Sequence, residues 1–144
     1  MNTLEELTED RVDWLHVERR IEDWRCRLTA LYADVASWIP KGWRTSEHGF
    51  VTMREELMTR FGIPDQQLPV LALMSPDDRR GRLEPRNLWM IGANGRVDLI
   101  LPTRHFLIMD HADSFEPADW QISDFFDRLR QAPFQQQSLH DALG

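Results

Sequence analysis

The tightest group of titratable side chains in this sequence is Asp110, His111 and Asp113. An imidazole nitrogen between two carboxylates could hold a divalent metal, and His105 or Asp98 could join from neighbouring strands. The plainer reading is a solvated acidic loop after a strand. No His-Glu-x-x-His or Cys-x-x-Cys pattern supports the metal, so no metal and no cofactor are expected. Nucleophilic chemistry has little to start from. Ser114 lies near His111, and Ser46 near His48, but neither sits in a Gly-x-Ser-x-Gly elbow. Gly92-Ala93-Asn94-Gly95 lacks the order of a phosphate-binding glycine loop, and no helix follows it. Cys26 is a lone thiol, with no second cysteine for a disulfide. No catalytic residue is expected.

Arginine offers more. Residues 76–104 carry six Arg against four acids, whereas residues 105–144 carry two Arg against seven acids. Arg79, Arg80, Arg82 and Arg86 cluster before a strand, and Trp89 and Arg96 follow. Their planar guanidinium groups suit bidentate contact with carboxylates or phosphates. Together these six residues are the expected partner-binding set. The plainer reading of the 79–86 cluster is a solvated loop, with pairing to the acids of 110–124 as its variant. A net charge of −7 weighs against a general nucleic-acid binder. Of the 17 basic residues only Lys41 is a lysine, a bias that fits a GC-rich bacterial genome.

These residues must be positioned by a scaffold, and one stretch dominates it. Trp14, Val17, Ile21, Trp24, Leu28, Leu31, Val35 and Trp38 repeat at alternating gaps of three and four, the spacing of a helix with one buried seam. The helix starts near Leu4 or Glu9 and stops before Pro40. Its seam fits either the chain's own sheet or an antiparallel copy. A parallel copy would set Asp13 against Glu18 and Arg20 against Arg25, like against like.

Residues 41–51 read as a loop, with Trp43 and Phe50 plugging the core. Thr52 and Glu55 suggest a capping box for a second helix, ended by Gly62 and Pro64. Val70 to Met74 reads as a strand. Asn94-Gly95 is the favoured two-residue turn, so Arg86–Ala93 and Arg96–Leu101 read as a hairpin. Leu88, Met90, Val97, Leu99 and Leu101 then face the helix, and Trp89, Ile91, Arg96, Asp98 and Ile100 face away. His105 to Asp110 adds a strand. A three-residue turn before it sets Arg96 opposite Asp110; a two-residue turn puts Asp110 on the helix side. The three-residue turn is preferred because it pairs the charges. Trp120 to Ile122 suggests an edge strand. Ser123 to Arg130 reads as a helix whose Phe125, Phe126 and Leu129 cover the second sheet face, and Gln135 to Leu143 as a last short helix.

The expected fold is one α+β domain, residues 1–144: a long N-terminal helix on an antiparallel meander of four or five strands. No apolar run approaches the ~18 residues that cross a bilayer, and the acidic start lacks the order of a signal peptide. A cytoplasmic bacterial protein without a membrane partner is expected. The functional expectation is a non-catalytic protein-binding module, of immunity or inhibitor, adaptor or secretion-chaperone type. It would bind a heterologous protein through a sheet face or the Arg-rich loop, as a monomer or antiparallel homodimer. The second reading is a small metal- or ligand-binding enzyme using the 105–113 strand end. The third is a nucleic-acid accessory protein using Arg79 to Arg86.

Overall fold

The computed structural model describes residues 3–88, 94–113 and 115–144, with side chains described from Trp14 onward. The heptad stretch is one helix, α1 (Thr3–Trp38). Val17, Ile21, Trp24, Leu28, Leu31 and Val35 are buried and Trp38 is half-buried, while Trp14 is exposed. What they bury against is the chain's own sheet. Seven strands run in chain order, each antiparallel to the next: β1 (Arg44–Met53), β2 (Gln66–Met74), β3 (Arg80–Asn87), β4 (Arg96–Ile100), β5 (His105–Asp110), β6 (Trp120–Asp124) and β7 (Asp127–Pro133). The α+β meander is therefore as expected, with seven strands where four or five were read.

Alternation sorts the strands into two faces. Leu71, Leu83, Leu99 and Phe106 line up across β2 to β5, all buried in the cluster that takes the α1 seam. Two short helices, α2 (Glu56–Arg60) and α3 (Gln136–Leu143), add Met58, Leu139, Ala142 and Leu143 to that same core. His140 reaches the Trp38 carbonyl at 2.5 Å, and Phe134 meets the Trp38 ring edge-on. Among the described residues, no helix is long and apolar enough to cross a membrane.

Several sequence expectations change. Residues 44–53 are an edge strand, not a loop. Gly49 (φ +83°) sits at a register shift within it, and Phe50 is 68% exposed rather than a plug. Thr52 lies in β1, so the second helix is shorter. Glu55 is its N-cap residue without a side-chain cap and instead accepts the Leu88 N–H at 3.0 Å. The end of that helix is as read: Gly62 is left-handed, and the Ile63 N–H returns to the Met58 carbonyl at 2.8 Å.

The Asn94-Gly95 hairpin does not form. β4 pairs with 80–87 instead, setting Leu83 opposite Leu99, Glu84 opposite Asp98 and Pro85 opposite Val97. Residues 89–93, and with them Trp89, Met90 and Ile91, lie outside the described residues. Asn94 and Gly95 extend the pairing with β5, through Asn94 N–H to the Asp110 carbonyl and Asp110 N–H to the Gly95 carbonyl. Gly95 (φ +134°) is required for another reason: a Cβ there would sit 2.5 Å from the Trp24 ring. The β4–β5 turn has two residues, closed by Leu101 N–H to the Arg104 carbonyl at 2.8 Å. Arg96 consequently faces Met109, and Val97 faces Ile108. Asp110 thus lies on the helix side, against the preferred register. Finally, 123–130 is not helical. Phe125 and Phe126 form the β6–β7 turn, and Phe126 and Leu129 are almost fully exposed.

Candidate functional site

All three described helices contribute to the core on one side of the sheet, and the side chains of the opposite side form the open face, exposed at Arg44, Ser46, Arg80, Arg82 and Arg86 while Asp98, Leu107 and Ser123 within it are buried. β3 supplies its centre. Arg80, Arg82 and Glu84 alternate onto it. Ser46, Ala72, Arg82, Ile100 and His105 form one row across five strands. Arg44, Met74 and Arg80 form the adjacent row. On the other side of the first row lie Glu84, Asp98, Leu107 and Ser123.

Asp98 is 1% exposed. Its carboxylate accepts two bonds from Arg96, Nε at 2.7 Å and Nη2 at 3.0 Å, and His105 Nε2 lies at 2.7 Å. Arg86 approaches at 3.8 Å and also lies 3.6 Å from Glu84. The two acids are thus outnumbered by Arg82, Arg86 and Arg96. The buried Asp98 needs this company, because an ionised carboxylate removed from water is costly unless paired and hydrogen-bonded. Phe125 stacks on His105 at 4.5 Å and Arg128 covers Phe125 at 4.7 Å, continuing the face to the β6–β7 turn.

Toward β1 the face deepens into a groove of about 600 Å³. Its floor is Val70, Ala72 and Met74 of β2. Arg44 and His48 of β1 wall one side, and Arg80 and Arg82 of β3 the other. No Asp or Glu lines it among the described residues. Arg82 meets Glu84 at 3.1 Å and Arg80 meets Asp78 at 3.6 Å, both outside the groove. The Arg80–Asp78 pair is exposed at both ends, so solvent screening leaves it weak, whereas Glu84 is largely buried beside Arg82. Arg44 contacts the Met74 sulfur at 3.3 Å.

Of the residues singled out in the sequence, Arg80, Arg82, Arg86 and Arg96 meet on this one face. Arg79 does not join them: it pairs with Asp77 at 3.2 Å, lies over Trp43 and reaches the Leu143 carbonyl. It ties the β2–β3 turn to the C-terminal helix. Trp89 lies outside the described residues. Arg44 was missed, and Ser46 and His48 were weighed only as a nucleophile pair, because 41–51 was read as a loop; their two-residue spacing before Gly49 was the available signal.

Asp110, His111 and Asp113 are not brought together. Asp110 is fully buried against α1, with Oδ2 at 2.7 Å from Arg27 Nη1. Its Oδ1 accepts the N–H groups of Ala112 (3.0 Å) and Asp119 (2.8 Å). His111 and Asp113 are exposed, and Ser114 lies outside the described residues. Among the described residues no three His, Cys, Asp or Glu side chains are grouped to hold a metal.

Comparison with protein-family models, with characterised proteins and with solved structures finds no match to this chain.

Proposed function

We propose that this chain is a non-catalytic protein-binding module that presents its open sheet face to an acidic partner. Its work would be that of an immunity or inhibitor protein, an adaptor or a secretion chaperone. One observation carries the reading. A molecule of net charge −7 gathers Arg44, Arg80, Arg82 and Arg86, exposed, on the face opposite its helices, with Arg96 held beneath them by Asp98. Such a patch steers an acidic surface toward it and rejects basic ones. Arginine also suits the centre of an interface, because it combines a planar charged head with an aliphatic stem that packs.

The test is native mass spectrometry of the protein gently purified from its own host, beside an Arg80→Glu/Arg82→Glu variant. The expected result is a stoichiometric protein partner on the wild type, with affinity at least about tenfold weaker in the variant and falling with added salt. Both arginines are more than half exposed, so the reversal should leave the fold intact. A partner held equally well by the reversed variant overturns the reading.

A further inference from the structure

The groove beside β1 has a finer pattern than a positive patch. Its apolar floor comes from one strand, β2, and its cationic walls come from the two strands on either side. Arg44, Met74 and Arg80 stand in register across the sheet, so cation, apolar side chain and cation follow one another. Neighbouring strands are about 4.8 Å apart, which places the two guanidinium stems on opposite sides of one apolar strip. An apolar strip rimmed by charge is the anatomy of an interface centre, and about 600 Å³ holds more than one side chain. The two acids that pair with Arg80 and Arg82 lie outside the groove, and each guanidinium has five N–H donors, which leaves donors for a carboxylate seated in the groove.

We propose that this groove seats an extended segment of the partner in which an apolar side chain is flanked by carboxylates. The apolar side chain lies on Ala72 and Met74. The carboxylates meet Arg44 on one wall and Arg80 and Arg82 on the other. An extended segment laid along β2 fits because its same-side residues repeat every ~6.6 Å, the repeat of Ala72 and Met74, and glutamate and arginine side chains are long enough to bridge the one-strand offset of about 4.8 Å from floor to either wall. This inference rests on the protein-binding reading and names what the partner must display.

The probe is a fluorescein-labelled serine peptide with a central leucine and a glutamate two residues away on each side, followed by fluorescence anisotropy. The expected result is saturable binding to the wild type. Affinity should fall at least about tenfold when glutamine replaces the glutamates, and equally when serine replaces the leucine. On the protein, Ala72→Trp fills the floor without changing charge and should abolish binding. Arg80→Gln/Arg82→Gln removes one wall at exposed positions and should weaken it by a similar factor. Near-ultraviolet circular dichroism checks that each variant is folded. Absence of saturable binding overturns the proposal. So does a leucine-free peptide that binds equally well, which is charge adsorption alone. The two readings separate on the natural partner. If the partner depends on Arg80 and Arg82 but still binds Ala72→Trp, only the groove proposal falls. If it ignores the Arg80→Glu/Arg82→Glu reversal, the broader reading falls whatever the peptide does.

Discussion

Asp110 shows how one carboxylate can be read for chemistry in a sequence and be spent on architecture in the fold. Arg27 meets it from α1, and also binds Asp23 at 2.6 Å and the Glu116 carbonyl. Asp110 in turn gathers the backbone of Ala112 and Asp119. Helix, strand and the 111–119 loop therefore meet at one buried ion pair. Asp110→Ala leaves the buried Arg27 guanidinium with Asp23 but without its fully buried counter-charge, and orphans two N–H groups. The expected cost is about 3–5 kcal/mol, measured as a lower urea midpoint at unchanged slope. Arg27→Met/Asp110→Leu removes both charges and should recover part of that loss. It should remain below the wild type, because the Ala112 and Asp119 N–H groups still lack an acceptor. The sequence hid this role because the face of Asp110 hangs on the length of one turn. The charge pairing used to choose that length was misleading: Arg96 finds Asp98 two residues along its own strand, where side chains share a face.

At the scale of elements, the long periodic helix was legible because eight apolar residues agree on one period over seven turns, and the seam needs only that agreement to find a sheet. Short segments carry no such redundancy. Residues 123–130 have a capping serine and apolar residues at helical spacing, yet pair as strands. Ile122 faces Ile108 and Ala132, Ser123 faces Leu107 and Gln131, and burial of Ile122 and Ser123 beside β5 outweighs local helix preference. The consequence is measurable. In the expected helix Leu129 is a core residue, and burying a lysine there would cost several kcal/mol. In the observed hairpin Leu129 is 99% exposed. Leu129→Lys should therefore change stability by no more than about 0.5 kcal/mol in urea denaturation. A loss of about 2 kcal/mol or more would mean that the side chain is covered in solution. The Arg-bearing face was half legible for a related reason. Clustering of charge singled out Arg80, Arg82, Arg86 and Arg96, but with 80–86 as an Arg-rich loop before a hairpin and not as strand β3; β1 was hidden because Gly49 and the register shift beside it break the alternation.

At the scale of the whole molecule, stability depends on the helix layer staying sealed against the sheet, and one side chain reports on that seam. Tyr32 is the only tyrosine, is 4% exposed, and donates from α1 to the Pro69 carbonyl of β2 at 2.7 Å. Its hydroxyl also lies 3.3 Å from the Leu83 carbonyl of β3. Burial first, and then the nearby Glu47 and Glu84 carboxylates, push its pKa well above the usual phenol range. The sign of the linkage follows. Below the unfolded value, about pH 10, the phenol is protonated in both states and its contribution is complete. Above it the unfolded chain ionises while the folded chain holds its proton, so the unfolded state binds fewer protons and stability falls as pH rises. Tyrosinate absorbance should therefore stay flat through about pH 10 in the folded protein. It should then appear together with the loss of far-ultraviolet circular dichroism, in one transition rather than two. Tyr32→Phe should cost about 1 kcal/mol for the lost hydrogen bond and make stability less steep in alkali. Ionisation near the ordinary phenol value, with the circular dichroism still native, would mean that the helix opens from β2 and β3 without global unfolding. The open face would then not be the only surface the sheet can offer to a partner.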